Sequence, residues 1–216
     1  MNRIVIVNAG LGDPSTTRRI ADSVAAAAVR HVTAAGEGAE VRAIDLRTLA
    51  TDLATYMTTQ IPTAALTAAQ RAVTGADALI AATPVFQGSY AGLFKMFFDT
   101  LGMRALDGTP VTMVATAGTQ RHSMVLDYAV RPLLSFLHAV VLPTGVFAAT
   151  GEFGQDTDLE SRIDRAGREM ASRLTAVDGV RGFTAPDADG GRDADSEELH
   201  APEGGFAALL AGHAGE

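Results

Sequence analysis

Five short runs rich in apolar residues punctuate the chain, and the apolar positions between them fall at helical spacing. "RIVIV" (3–7) is β-branched and apolar, as a strand buried on both faces requires. "EVRAIDL" (40–46), "DALIAAT" (77–83), "PVTMVATAG" (110–118) and "AVVLPTGVFAA" (139–149) read as the next four strands. From Arg18 to Ala35, Ile20, Val24, Ala28 and Val32 lie on one side of a helix. Helices are also predicted over 64–74, 90–101, 123–137 and 156–177, with a kink or break at Pro132. The stretch between the second strand and Pro62 shows no clear period, and "DLATYMTTQIP" (52–62) is expected to be irregular and mobile, near a neighbouring subunit's site.

Strands alternating with helices predict a doubly wound α/β fold, a five-stranded parallel sheet with helices on both faces. Ligands of such sheets bind beyond the carboxyl ends of the strands, where the winding reverses. Three loops fall there, after the first, third and fourth strands.

Composition narrows the function. Cysteine is absent, so disulfides, thiolate catalysis and cysteine-held metals are excluded. The five histidines have no metal-ligand spacing, and no metal site is expected. No apolar run approaches a membrane span and no secretory leader is apparent, so a cytoplasmic protein is expected. The net charge of −8 is uneven: residues 184–216 carry eight acids against Arg192, leaving the body near neutrality. That body has no basic stripe for nucleic acid. The chain is therefore divided into a domain over 1–183 and an acidic tail over 184–216, predicted to be disordered.

The first loop, "NAGLGDPSTT", leads into the first helix with Ser15 or Thr16 as cap. Arg18 and Arg19 follow in the first turn, where cations oppose the helix dipole unless an anion sits there. Gly10-Leu11-Gly12 begins a dinucleotide fingerprint, but Ser15 stands at the third glycine and no Walker lysine is present. Asp45 keeps a Rossmann reading open as a possible ribose ligand. The second loop, Pro84–Ser89, offers a fixed φ, an aromatic face, a permissive glycine and two polar side chains, the requirements of a rim around a planar heterocycle. Beyond it, Tyr90, Leu93, Phe94, Phe97, Phe98 and Leu101 form a stripe expected to be core or dimer interface. Lys95, the sole lysine, is spaced to pair with Asp99.

"TPVFQGSYAGLFKMFFD" (83–99) resembles the Pro-x-aromatic-x-Gly/Ala-Ser-Tyr-x-Gly-x-x-Lys segment of the NADPH-dependent FMN reductases, which have the flavodoxin-like fold. Ser15-x-Thr17-x-x-Ile20 is similar to that family's phosphate loop. "AGTQRHSMVLDYAVRPLL" (117–134) resembles its alkanesulfonate-type branch at His122, Asp127, Tyr128, Pro132 and Leu133. The resemblance implies that Ser15, Thr16 and Thr17 hold the FMN phosphate. It implies that Pro84, Val85, Phe86, Gln87, Gly88 and Ser89 border the isoalloxazine, and that Thr116, Ala117, Gly118 and His122 close the other side. Hydride would pass from NADPH or NADH to FMN, with no catalytic side chain required. The resemblance further implies a homodimer or homotetramer and a partner flavin-dependent monooxygenase that takes the reduced flavin. A quinone or azo reductase that retains FMN, an electron carrier without catalysis, and a hydrolase using Ser89 or Ser123 with His122 are the alternatives. The last lacks a Gly-x-Ser-x-Gly elbow.

Overall fold

The computed structural model describes residues 1–152 and 158–175; the acidic tail and the ends of the predicted 156–177 helix lie outside the described residues. The chain runs β1 (Asn2–Asn8), α1 (Thr16–Ala34), β2 (Ala39–Asp45), a 3-10 turn (Leu46–Leu49), α2 (Ala50–Thr59), α3 (Ala64–Thr74), β3 (Ala78–Phe86), β4 (Ser89–Tyr90), α4 (Gly92–Asp99) and β5 (Pro110–Ala117). It continues through a 3-10 turn (Gln120–His122), a π-helical turn (Leu126–Val130), α5 (Arg131–Phe136), β6 (Val140–Val141), β7 (Val146–Ala149) and α6 (Leu159–Leu174).

The strand order is β2-β1-β3-β5-β6, with β7 also beside β5 and all of these pairings parallel. From β1 the chain steps outward to β2, then returns to β3 on the other side of β1, so the winding reverses between β1 and β3. The seven strands occupy five parallel positions plus one hairpin. β6 and β7 are two pieces of the predicted fifth strand, against the start and the end of β5. The break falls at Leu142–Gly145, where Pro143 has no N–H for a ladder. Glu169 of α6 serves the break, accepting from the Thr144 amide at 2.9 Å and its hydroxyl at 2.6 Å. β4 is a two-residue antiparallel return on β3.

Alternation along β1 sorts the core. Ile4 and Ile6 face α1 and α6, whereas Val5 and Val7 face the α2–α5 side. α6 lies so close on α1 that a Cβ at Gly167 would come within 2.5 Å of Ala27 Cβ and 2.7 Å of the Ala28 amide nitrogen. Only glycine fits that crossing.

One expectation is corrected. Residues 50–59, expected to be irregular, form a helix; Leu53 alone is fully buried on it, and Gln60 in left-handed conformation ends it with its amide on the Tyr56 carbonyl. Of the two places expected for the stripe after the second loop, the core holds its phenylalanines: Phe94, Phe97 and Phe98 are at most 1% exposed, and Phe94 and Phe98 meet with ring centroids 4.7 Å apart. The helix carrying them runs over Gly92–Asp99, shorter than the predicted 90–101. Lys95 does pair with Asp99, at 2.5 and 2.7 Å. The predicted irregularity at Pro132 takes the form of the π-helical turn immediately before it.

Candidate active site

At the carboxyl edge the three loops meet. Gly10, Leu11, Gly12, Pro14, Ser15, Thr16 and Thr17 line one wall of a cleft of about 290 Å³, Pro84, Val85 and Phe86 a second, and Thr116, Ala117, Gly118 and Thr150 a third. Segments separated by some hundred residues converge because their strands, β1, β3 and β5, are adjacent in the sheet.

The first wall is built from satisfied polar groups. Asn8, 2% exposed, closes β1: its amide donates to Asp45 Oδ1 at 2.8 Å and its Oδ1 accepts the Gly10 amide at 3.0 Å. This folds the loop back on the strand. Gly10 is required by the fold-back, since a Cβ there would stand 2.0 Å from Ser15 Oγ. Ser15 caps α1, accepting the Arg18 amide on Oγ at 3.2 Å, and its carbonyl accepts the Arg19 amide at 3.1 Å. The amides of Thr16 and Thr17 remain as the helix's leading donors, in a first turn that holds no acid.

Arg18, the first of the two arginines of that turn, is taken up by carboxylates of the protein itself. Arg18 donates to Asp22 at 2.8 Å and to Asp45 at 3.0 Å. Burial works against its charge, yet the bonds and attraction of these two carboxylates outweigh that and raise its pKa. Arg18 is therefore a cross-brace from α1 to β2. Asp45 accepts from both Asn8 and Arg18, which ties the end of β2 to β1 and α1. The features of this wall that favour an anion are the helix dipole and the leading amides of α1.

The second wall is more open. β3 extends three residues beyond its predicted end, so Pro84, Val85 and Phe86 are strand residues. Phe86 is 46% exposed. Gln87 and Gly88, at φ 50° and 76°, form the tip of the β3–β4 hairpin, a conformation that favours glycine. The hairpin's base is pinned by buried Thr83, whose hydroxyl accepts the Ala91 amide and donates to the Pro84 carbonyl, both at 2.9 Å.

The third wall is tied to the first. Thr17 Oγ1 and Thr116 Oγ1 are 2.7 Å apart, with both residues buried. Thr150 donates to the Ala117 carbonyl at 3.3 Å.

Nine of the predicted site residues thus line the cleft: Ser15, Thr16, Thr17, Pro84, Val85, Phe86, Thr116, Ala117 and Gly118. Gln87 and Gly88 sit at the exposed hairpin tip, outside the lining. Ser89 faces a neighbouring groove with Tyr90, Lys95 and Tyr128. His122 is exposed in the 3-10 turn after β5. Sequence reasoning did not single out Asn8, Pro14 or Thr150 for this cleft. The polar residue ending an apolar run was a usable signal for Asn8; nothing local marks Thr150.

A family model described as NADPH-dependent FMN reductase matches residues 2–154. The chain belongs to the NADPH-dependent FMN reductase family. The reductase is 36% identical over 174 residues to the NADH-dependent FMN reductase SfnF of Pseudomonas fluorescens, covering 81% of this chain and 90% of that one. It is 36% identical over 180 residues to an FMN reductase (NADPH) of Pseudomonas aeruginosa, covering 83% and 94%. Among solved structures it resembles an oxidoreductase from Corynebacterium diphtheriae, with 50% identity, a TM-score of 0.78 and coverage of 81% and 97%. It also resembles the apo form of the NADH:FMN oxidoreductase EmoB, with 29% identity, a TM-score of 0.70 and coverage of 83% and 92%. The reductase is accordingly a flavodoxin-like oxidoreductase whose chemistry joins FMN and a nicotinamide nucleotide.

Proposed function

We propose that this cleft binds FMN for reduction by NADPH or NADH, and that the reduced flavin passes to a separate flavin-dependent monooxygenase. The observation that carries the reading is the convergence of the three strand-end segments on one cleft with a helix amino terminus at one end and an exposed aromatic at the other. The donor set fits the group. Among the described residues no carboxylate lines the cleft, the Thr16 and Thr17 amides lead α1, and the glycine at position 10 lets the loop close over Ser15.

In this reading the amides of Thr16 and Thr17 and the hydroxyls of Ser15, Thr16 and Thr17 hold the phosphate. Pro84, Val85 and Phe86 present an apolar, partly aromatic wall to one side of the ring, with Gln87, Gly88 and Ser89 beyond it. Ala117 and Gly118 approach the other side, with buried Thr116 behind them at Thr17 and exposed His122 at the rim. Bound FMN accepts a hydride from the nicotinamide, so the protein's part is orientation and a suitable field. The cleft's rim is exposed at Leu11, Gly12, Pro14, Thr16, Phe86, Gly118 and Thr150, which suits a flavin that enters and leaves.

The test follows nicotinamide oxidation by pure protein with FMN, FAD, riboflavin or a quinone as acceptor. FMN turnover is expected, and gel filtration is expected to strip the flavin from the protein. No turnover with any flavin would remove the reading; a yellow protein that survives gel filtration would favour the FMN-retaining quinone or azo reductase.

We further propose that the reductase acts in the cytoplasm as a homo-oligomer. Met103, Tyr128 and Phe136 are between 65% and 76% exposed around a groove between α4 and α5, a surface suited to a second copy. Light scattering is expected to return a mass above that of one chain.

A further inference from the structure

We propose that Thr116 is a positioning residue which, through Thr17 alone, makes phosphate recognition at one end of the cleft depend on the strand that carries the other end. This rests on the reading of the cleft as an FMN site.

The tie joins residues 99 positions apart at 2.7 Å, with Thr17 3% and Thr116 7% exposed. Buried hydroxyls of this kind are held by their partners, because water cannot substitute for them. Each hydroxyl carries one proton and two lone pairs, so in the pair one oxygen donates and the other accepts. A phosphate at the start of α1 can only accept. If Thr17 gives its proton to that phosphate, it has only lone pairs to offer Thr116, and Thr116 must donate. If Thr17 instead donates to Thr116, it has no proton for the phosphate. An anion at α1 therefore sets the direction of the tie, and the tie holds Thr17 in the rotamer that reaches the anion.

Thr116 is well placed to transmit this. It lies in register with Pro84 on β3 and with Ala148 on β7, so one rung of the sheet joins the anion end to the start of the Pro84–Phe86 wall. Thr116 also immediately precedes Ala117 and Gly118, which line the cleft themselves. The hydroxyl of Thr112, four residues earlier on the same face of β5, has no such partner among the described residues, so the Thr116 contact is not a general feature of threonines on this strand.

The experiment titrates FMN and riboflavin, which share the ring and differ in the phosphate, by quenching of flavin fluorescence. Thr116→Val is expected to weaken FMN about tenfold, the size of one lost charge-assisted bond, and to leave riboflavin within about twofold. Thr116→Ser, which keeps the hydroxyl, is expected to restore FMN binding. In a Thr17→Val background, Thr116→Val is expected to have no further effect on FMN, since its only route is gone. Equal weakening of both flavins, or additive losses in the double variant, would overturn the proposal. Should Thr116→Val lower the melting temperature enough to obscure binding, Thr116→Ala and the same double-variant comparison decide the question by the same criteria. Wild-type protein that binds neither flavin would instead overturn the FMN reading beneath it, which separates the two failures.

Discussion

The two ends of the cleft are built on opposite plans. At the anion end, Asn8 accepts the Gly10 amide, Ser15 accepts the Arg18 amide and Thr17 is tied to Thr116, and α1 is backed along its length by the core and α6. At the ring end, the hairpin is pinned at its base by Thr83 and paired along two residues, while Phe86, Gln87 and Gly88 stand exposed. Both plans suit an enzyme that releases its flavin. On the proposed reading, a preformed anion site would give each incoming flavin the same register without reorganisation. An open ring wall would leave room for a nicotinamide to stack and for the flavin to depart.

The largest expected effect comes from breaking the closed end. Gly10→Ala places a methyl group 2.0 Å from Ser15 Oγ and 3.0 Å from Asn8 Oδ1, so the cap or the loop must move. Overpacking of this kind costs about 3 kcal/mol. Thermal denaturation should report that loss, and FMN binding should fall well beyond the effect of any single hydroxyl removal. A variant of wild-type stability and affinity would show that the loop is as adjustable as the hairpin, and the contrast between the ends would disappear.

The open end should respond more mildly and in a different currency. Phe86→Ala removes an exposed face without touching the core, so stability should stay within about 0.5 kcal/mol. Aromatic contact of this kind is worth about 1 kcal/mol, or roughly fivefold in affinity, and the loss should be the same for FMN and riboflavin. A loss confined to FMN would place Phe86 near the phosphate and reverse the assignment of the ends.

The same contrast governs what could be read in the sequence. The second wall was partly legible because its residues are contiguous: of the run Pro84–Ser89, Pro84, Val85 and Phe86 line the cleft, whereas Gln87 and Gly88 sit at the hairpin tip and Ser89 faces the neighbouring groove. The anion end was only half legible. Ser15, Thr16 and Thr17 announce a capped helix, but the bond from Thr17 to Thr116 spans 99 positions and no local pattern foretells it. Arg18 was misleading for a related reason: its partner Asp45 lies at the end of another strand. The architecture followed from alternation, because strands buried on both faces leave unbroken apolar runs. α2 was missed because "ATDLATYMTT" buries only Leu53 completely, which leaves almost no period to detect. The fifth strand was read as continuous although Pro143 and Gly145 mark its interruption.

Beneath the anion end, Thr112 offers a smaller effect of opposite sign. Its Oγ1 is buried with no hydrogen-bond partner among the described residues, on the side of β5 that faces α1. An unmet hydroxyl in a core costs about 1 kcal/mol or more, so Thr112→Val should raise stability by about 1 kcal/mol in chemical denaturation. FMN affinity should be unchanged. If stability falls instead, the hydroxyl has a partner and the closed end extends deeper into the sheet.

The smallest expected effect lies at the far end of α1 and tests whether the helix is uniformly braced. Asp164 of α6 accepts from His31 Nε2 at 2.9 Å and from Arg168 at 2.6 Å, with Arg30 at 3.5 Å. The bond from His31, then the attraction of His31 and Arg168, holds its carboxyl below the usual range against the opposing influence of burial. A folded pKa below the unfolded value, about 3.9, means that ionised Asp164 favours the folded state. That contribution is fully present above the unfolded value and disappears as pH falls through the folded one. Wild type and Asp164→Asn should therefore differ in melting temperature at neutral pH and converge as pH drops below about 4. The difference should be small and should shrink with salt, because the cluster is solvent-accessible. His31 lies about 22 Å along α1 from Thr16, so flavin affinity should not follow this transition. A pH-independent gap would mean that Asp164 contributes through packing alone. A parallel change in FMN binding would mean that the seam between α1 and α6 transmits to the cleft, making the closed end a property of the whole helix and not of its first turn.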